Sequence, residues 1–368
     1  MTIEPLPPGA TVGIVGGGQL GRMMAQAAAK IGLKASIFAP DAESPAFEVS
    51  AFQHCAAYDD GAALERFARE ADAVTYEFEN IPSAALAIIE QHSRLAPNRR
   101  AMEVSQDRIE ERRFLDGLEL PCAPYAEVHG KDDLESAWRA LTAGNPDTLL
   151  FLKRARYGYD GKGQMRIKGA GDLAAARGWL GGGDALLEKG IEFAFEFSIL
   201  CVRDDRGKML FYDPPRNIHD DGILRESIVP APLPDDVMRT AKNTAGEIAS
   251  ALGYVGVLAV EMFAEKRNGG LGAVINEIAP RVHNSGHWTA DACTVGQFEN
   301  HIRAVAGWPL GSTERHSDAR MVNLLGEEAH GWQTLLEDNP SRSLTLYGKK
   351  DAMNGRKMGH YVDLMPKT

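Results

Sequence analysis

The sequence predicts a mixed α/β and α+β protein: a unit built on a parallel sheet, then regions dominated by shorter strands. Three observations carry that prediction. Strand-like and helix-like runs alternate over roughly the first hundred residues. From residue 149 onward short strands dominate, and one amphipathic helix, 235–252, interrupts them.

Residues 12–15 form a β-branched run, followed by Gly16, Gly17 and Gly18. Apolar positions then recur at helical spacing at Leu20, Met23, Met24, Ala27 and Ile31, and Gly32 is placed to end that helix. Residues 35–38 read as a second strand, 64–68 as part of a helix and 73–76 as another buried strand. A second region opens near Ser105, where 107–116 reads as a charged helix before Pro121 and Pro124 break the pattern. Strands are predicted at 149–153, 185–188, 193–202 and 209–212. The helix 235–252 begins on acidic residues, which suits its dipole. It repeats Val237, Ala241, Ala245, Ile248 and Leu252 and closes at Gly253. Two long strands follow, 255–263 and 273–278, separated by the turn-forming Arg267-Asn268-Gly269-Gly270. Strands near 321–325, 344–347 and 357–363 form a small β-rich closing unit.

At 368 residues the chain exceeds one ordinary core and suits two or three domains. A net charge of −11 argues against a nucleic-acid partner, yet a few cations in a cleft can still hold phosphate. No apolar run approaches the roughly 18 residues of a membrane span. The first residues lack a basic segment followed by a long apolar run, so a secretory signal is not expected. Cys55, Cys122, Cys201 and Cys293 are scattered without a CxxC pair, which points away from zinc and disulfides and toward the cytoplasm.

Gly16-x-Gly18-x-x-Gly21 follows a strand and opens a helix, the context of a dinucleotide fold. An NAD site would also place an acid at the tip of the second strand, but here Ile37-Phe38-Ala39-Pro40 precedes a late Asp41. A fold feature or some other phosphate contact is therefore favoured over NAD. Lys153, delivered by a strand, precedes Tyr157-Gly158-Tyr159-Asp160-Gly161-Lys162-Gly163-Gln164. Glycines there let backbone N–H groups approach a polyphosphate and the lysines supply charge; a flexible hairpin with a solvated basic face is the bland alternative.

Glu188-Lys189-Gly190-Ile191 comes next, and alternation then puts Glu192, Ala194 and Glu196 on one side of a strand. A sheltered carboxylate there can take ribose hydroxyls, although a half-exposed polar strand face reads equally well. Glu261 and Asn276-Glu277 lie on neighbouring strands. If those strands pair, two carboxylates and an amide oxygen make a hard-ligand set suited to Mg²⁺. After Pro280, the run Arg281-Val282-His283-Asn284-Ser285-Gly286-His287-Trp288 is a polar loop suited to an anionic substrate.

These residues resemble the ATP-grasp superfamily and, within it, the 5-(carboxyamino)imidazole ribonucleotide synthase family. The resemblance runs nearly end to end, through GGGQLGRM at 16–23, YEFENIP at 76–82, QDR at 106–108 and GYDGKGQ at 158–164. It continues through EKGIEF at 188–193, DGILRESI at 221–228, LGYVGVLAVEMF at 252–263, NEIAPRVHNSGHWT at 276–289 and GRKMGH at 355–360. One departure is Asp351-Ala352-Met353-Asn354, where relatives have an acidic residue and then arginine-proline.

The resemblance implies an ATP-grasp fold with a Rossmann-like pre-ATP-grasp domain at 1–105 and an ATP-grasp domain at 106–300. The latter divides into a lid-bearing part, 106–190, and a larger part, 191–300, with a small β-rich domain at 301–368. It also implies a cytoplasmic homodimer with no nucleic-acid or membrane partner. ATP, Mg²⁺ and bicarbonate would carboxylate 5-aminoimidazole ribonucleotide through carboxyphosphate, a step of purine biosynthesis.

Carried over by position, the nucleotide contacts are Arg108, Lys153, the loop Gly158, Tyr159, Asp160, Gly161, Lys162, Gly163 and Gln164, then Glu188, Lys189, Gly190, Ile191, Glu196, His219, Asn276 and Glu277. Glu261 and Glu277 would hold the metal. Gln19, Glu79, Asn80, Arg281, His283, Asn284, Ser285, Lys349, Arg356 and Lys357 would meet the imidazole ribonucleotide. Tyr159, Asp160, Lys162, His283 and Lys349 would be catalytic. The rivals are a sister ATP-grasp ligase, such as the formate-dependent glycinamide ribonucleotide transformylase, and an NAD(P) oxidoreductase supported only by the glycine turn.

Overall fold

A computed structural model describes residues 4–143, 145, 147–158, 163–267 and 269–368. The opening alternation builds a parallel sheet of β1 (Thr11–Val15), β2 (Lys34–Ala39), β3 (Phe52–Cys55) and β4 (Ala73–Tyr76), in the order β3-β2-β1-β4. Side chains alternate across it. Val12 and Ile14 pack with α1 (Gln19–Lys30), while Val15 and Val74 join the cluster formed with α2 (Gly61–Glu70) and α3 (Ser83–His92). Helices on both faces explain why β1, β2 and β4 are buried almost throughout.

Two helices, α4 (Arg99–Ser105) and α5 (Arg108–Gly117), lead into a second, antiparallel sheet. It holds β5 (Tyr125–His129), β6 (Leu150–Arg154), β7 (Gln164–Ile167) and β8 (Asp184–Lys189), ordered β5-β8-β6-β7. Its apolar side packs on α6 (Leu134–Thr142) and α7 (Leu173–Leu180). The strand-dominated reading after residue 149 did not anticipate α7.

The central sheet has nine strands: β9 (Phe193–Arg203), β10 (Met209–Phe211), β11 (Arg216–Asp220), β12 (Ile223–Val229), β13 (Gly256–Arg267), β14 (Gly270–Ala279), β15 (Ser317–Leu325), β16 (Ser343–Leu346) and β17 (Lys357–Pro366). Their order is β14-β13-β9-β11-β12-β15-β17-β16, with β10 alongside β9. The expected long helix is α8 (Asp235–Ala251), which packs its apolar stripe on this sheet. The last strands do not stand apart: β15 pairs antiparallel with β12, so β15, β16 and β17 carry the central sheet onward.

Three further helices, α9 (Thr289–Ala292), α10 (Gln297–Val305) and α11 (Trp332–Asp338), were absent from the sequence reading. α10 is the instructive omission. Eight of its nine residues are buried, including Glu299, Asn300 and His301, so its polar side faces protein partners instead of water. His301 explains part of that burial. It accepts the Val257 N–H at Nδ1 (3.0 Å) and bonds Thr75 Oγ1 from Nε2 (2.8 Å), clamping the parallel sheet to the central one.

Candidate active site

The glycine turn of the first unit is closed by the protein itself. The Glu77 carboxylate, fully buried at the end of β4, accepts the Gly21 N–H at 2.6 Å and the Gly18 N–H through its other oxygen. The anion at the start of α1 is therefore an internal side chain. The glycines are there to admit it: a Cβ on Gly16 would come within 2.2 Å of the Glu77 side chain, and Gly16 itself sits at φ +113°. Burial raises the Glu77 carboxyl above its usual range, opposed by the two amides and by the charges of Lys349 and Arg281. Of the two readings left open for the turn, these contacts support the fold feature. Gln19, at the first position of α1, remains half-buried beside it.

A different arrangement holds the acids of the central sheet. β13 and β14 pair as a hairpin, and its register sets Glu261 directly opposite Glu277, with a bulge immediately after. The two carboxylates thus share one face. Glu261 Oε1 lies 3.0 Å from His283 Nε2, and Glu277 Oε2 lies 3.1 Å from Arg108 Nη1. Burial alone would raise Glu261, but His283, His219 and Arg281 outweigh it and bring the group down to about 2. It is a carboxylate at neutral pH. Two hard-oxygen donors side by side fit a Mg²⁺ that keeps phosphate oxygens in its other positions. Among the described residues no cluster of three or more metal-binding side chains occurs, so the pair would hold such an ion only with ligand oxygens beside it.

Along β9, Glu196 sits opposite Phe263 of β13, and His219 of β11 approaches it, with Nδ1 2.8 Å from Oε2. Burial pulls His219 down, yet Glu196 and Glu261 more than compensate and leave it above its usual value.

The second sheet supplies the cations. Lys153 of β6 reaches Glu188 of β8 at 2.5 Å, and Arg112 of α5 takes the other carboxylate oxygen at 2.7 Å. Both oxygens of Glu188 are engaged, so it holds Lys153 in place. Burial opposes ionisation of Glu188, but Lys153 and Arg112 hold it down to about 2. Arg112 also contacts Glu111 at 3.0 Å and donates to the Asn276 carbonyl at 2.5 Å. Glu111 in turn accepts the Ile278 N–H at 2.6 Å, and burial pushes this acid up to about 7. α5 therefore ties the strand of Glu188 to the strand of Glu277. Sequence reading took Arg108 from this helix as a nucleotide contact but missed Glu111 and Arg112. The available signal was spacing: Arg108, Glu111, Arg112 and Leu115 share one face.

Lys189, Gly190 and Ile191 form the half-buried exit of β8, where the first two amides donate to Pro124 and Leu149 carbonyls at 2.9 and 2.8 Å. Gly158, Gly163 and Gln164 bracket the glycine-rich loop, and the Gly163 carbonyl accepts from Arg154 at 2.9 Å. Tyr159, Asp160, Gly161 and Lys162 lie outside the described residues.

The loop after β14 closes the site. Arg281 pairs with Glu79 of the first unit, and Asn80 lines an adjoining cavity of about 340 Å³ with Gln106, Arg156 and Tyr157. Asn284 exchanges two amide hydrogen bonds with Asn323, at 2.8 and 3.0 Å, and is buried, as is Ser285. Gln297 brackets His283, accepting its N–H at 2.9 Å and donating to its carbonyl at 2.7 Å. The C-terminal cations approach from the far side. Lys349 donates to the Lys357 carbonyl at 2.8 Å and lies within electrostatic reach of Glu77, and Lys357 within that of His219. Arg356 turns back to the Asp351 carbonyl at 3.0 Å.

Known proteins share this fold. The ribonucleotide synthetase preATP-grasp domain family matches residues 9–106, the ATP-grasp domain family 113–298, and the phosphoribosylaminoimidazole carboxylase C-terminal domain family 319–364. The N5-carboxyaminoimidazole ribonucleotide synthase of Brucella melitensis is 44% identical over 99% of this chain and 98% of its own length. A solved ADP complex of an N5-carboxyaminoimidazole ribonucleotide synthetase superposes with a TM-score of 0.92 at 39% identity, covering 98% of this chain and 94% of that one. The Aspergillus clavatus enzyme, solved with ADP and 5-aminoimidazole ribonucleotide, gives a TM-score of 0.89 at 27% identity over 98% of this chain and 94% of its own. The chain belongs to the N5-carboxyaminoimidazole ribonucleotide synthase family of ATP-grasp proteins.

Proposed function

We propose that the chain is an ATP-dependent ligase that carboxylates 5-aminoimidazole ribonucleotide with bicarbonate, giving N5-carboxyaminoimidazole ribonucleotide, ADP and phosphate. The observation that carries this reading is the cross-strand pair Glu261 and Glu277, with Arg108 of α5 beside Glu277 and Arg281 of the closing loop within electrostatic reach of both. Relatives named for this activity match the chain end to end, and the Aspergillus clavatus protein was solved with ADP and this ribonucleotide.

In this reading, ATP lies between the second and central sheets. Glu196 takes ribose hydroxyls, the exit strand 189–191 meets the adenine edge, and Lys153 with the loop 158–164 faces the phosphates. Mg²⁺ at Glu261 and Glu277 supplies neutralisation of phosphoryl charge. A bicarbonate oxygen attacks the γ-phosphorus as the bond to ADP breaks, giving carboxyphosphate. The exocyclic amine then bonds to the carboxyl carbon, directly or after CO₂ release, as phosphate departs and the amine proton is lost. Gln19, Glu79, Asn80, His283, Asn284, Lys349, Arg356 and Lys357 would orient the ribonucleotide, and Tyr159, Asp160 and Lys162 would act at the amine and the carboxyphosphate. The expected homodimer belongs to the same proposal.

The test is ADP release with bicarbonate present, with and without 5-aminoimidazole ribonucleotide. Release that rises with both substrates supports the carboxylase. Release driven by formate and glycinamide ribonucleotide instead would assign the sister ligase.

A further inference from the structure

Beneath the carboxylate pair runs a chain of buried side chains with a single consistent hydrogen-bond direction. It begins at a fixed donor: the Ser285 backbone N–H points at His283 Nδ1, 3.3 Å away. Nδ1 is therefore an acceptor, and the ring carries its proton on Nε2, which lies 3.0 Å from Glu261 Oε1. The Ser285 hydroxyl, 2.8 Å from the same Nδ1, must donate to it as well. With its hydrogen used, Ser285 Oγ can only accept from Ser198 Oγ, 2.6 Å away. Ser198 in turn accepts from Asn217 Nδ2 at 3.2 Å, and Asn217 Oδ1 accepts from Ser227 Oγ at 2.9 Å. Each donor after Ser227 faces toward Glu261.

The framework leaves this chain little freedom. Ser198, Ser227 and Ser285 are fully buried, and Ser198 sits directly opposite Glu261 in the β9–β13 register. The loop presses on the sheet at Gly286, where a Cβ would come within 2.1 Å of Leu200. Ser198, Asn217 and Ser227 lie on β9, β11 and β12, well removed in sequence from the loop that carries His283. Their interactions serve His283.

We propose that Ser198 and Asn217, through Ser285 and His283, are positioning residues for the metal ligand Glu261. The polarised chain fixes the Nε2–H tautomer of His283, which holds one Glu261 oxygen and turns the other toward the cation. Partners one step behind a metal ligand commonly change metal affinity or activity by roughly 10- to 100-fold when removed. This inference rests on the proposed MgATP site.

The experiment has two arms. In ¹⁵N-histidine-labelled protein, with His283→Gln identifying the resonance, His283 should show an unprotonated Nδ1 and a protonated Nε2. A protonated Nδ1 in the wild-type protein overturns the proposal, and this arm needs neither activity nor a variant that folds well. In the second arm, Ser198→Ala should raise the Mg²⁺ concentration for half-maximal ADP release by roughly 10-fold, with activity restored at high Mg²⁺ and the KM for the ribonucleotide within about twofold. A packing defect would lower turnover at every Mg²⁺ concentration, and that result, or an unchanged Mg²⁺ requirement, would count against the chain. If the wild-type protein releases no ADP with these substrates, the proposed function fails while the tautomer arm still decides the positioning role.

Discussion

Two carboxylate sites in this molecule look alike in sequence and differ in use. At the glycine turn, both oxygens of Glu77 are taken by backbone N–H groups of Gly18 and Gly21. At the β13–β14 hairpin, Glu261 and Glu277 each meet a single cationic or imidazole side chain, at 3.0 and 3.1 Å. The first site is sealed by the fold, because its acceptors are matched by donors that cannot move. The second keeps acceptor capacity in a cleft lined by Lys153, Arg108 and Arg281, as a site for a cation and phosphates requires. An acid near a glycine motif is thus no guide to ligand binding until its partners are counted.

The sharpest way to break this contrast is to remove one charge from the open site. Glu277→Gln should keep its fold and lose turnover by about a hundredfold or more, since phosphoryl transfer loses electrostatic stabilisation. Activity within a few-fold of wild type at saturating Mg²⁺ would take Glu277 out of the site. The same change at the sealed site should do the reverse. Glu77→Gln sets an amide N–H₂ against a backbone donor, costing about 1–3 kcal/mol. Its melting temperature should drop while the KM for ATP stays within a few-fold.

Acid titration sharpens the comparison further. Glu188 and Glu261 are both held down to about 2 from an ordinary 4.5, so their contribution is present above 4.5 and lost as pH falls toward 2. Glu77 is raised, so its contribution has the opposite sign and weakens as pH rises above the ordinary value. Urea unfolding of Glu188→Gln between pH 5 and 3 should show a shallower loss than wild type, and an unchanged slope would contradict the assignment. The smallest signal is an absence: calorimetry should detect MgATP but no specific NAD or NADP, because Glu77 already fills the start of α1. A micromolar NAD isotherm would reopen the first unit.

The sequence made the open site more legible than the sealed one, for a physical reason. Two apolar strands flank a turn at 267–270, and adjacency alone brings Glu261 opposite Glu277. The glycine turn was equally visible, yet its partner Glu77 lies 59 residues from Gly18 and is brought there by the parallel pairing of β1 with β4. Arg112 and Glu111 were hidden because charges on a helix ordinarily face water. Here burial of a charged face is possible only because Glu188 and the strand carbonyl of Asn276 meet it. The donor chain from Ser198 to Ser285 spans 87 residues, and no local pattern announces it.

The most direct measurement supplies ¹³C-bicarbonate, MgATP and 5-aminoimidazole ribonucleotide and counts ADP against labelled ribonucleotide in one reaction. The account predicts one labelled N5-carboxylate for each ADP, with both lost together in Glu277→Gln. ADP formed without labelled product in the wild-type protein, or labelled product formed without ATP, would contradict it.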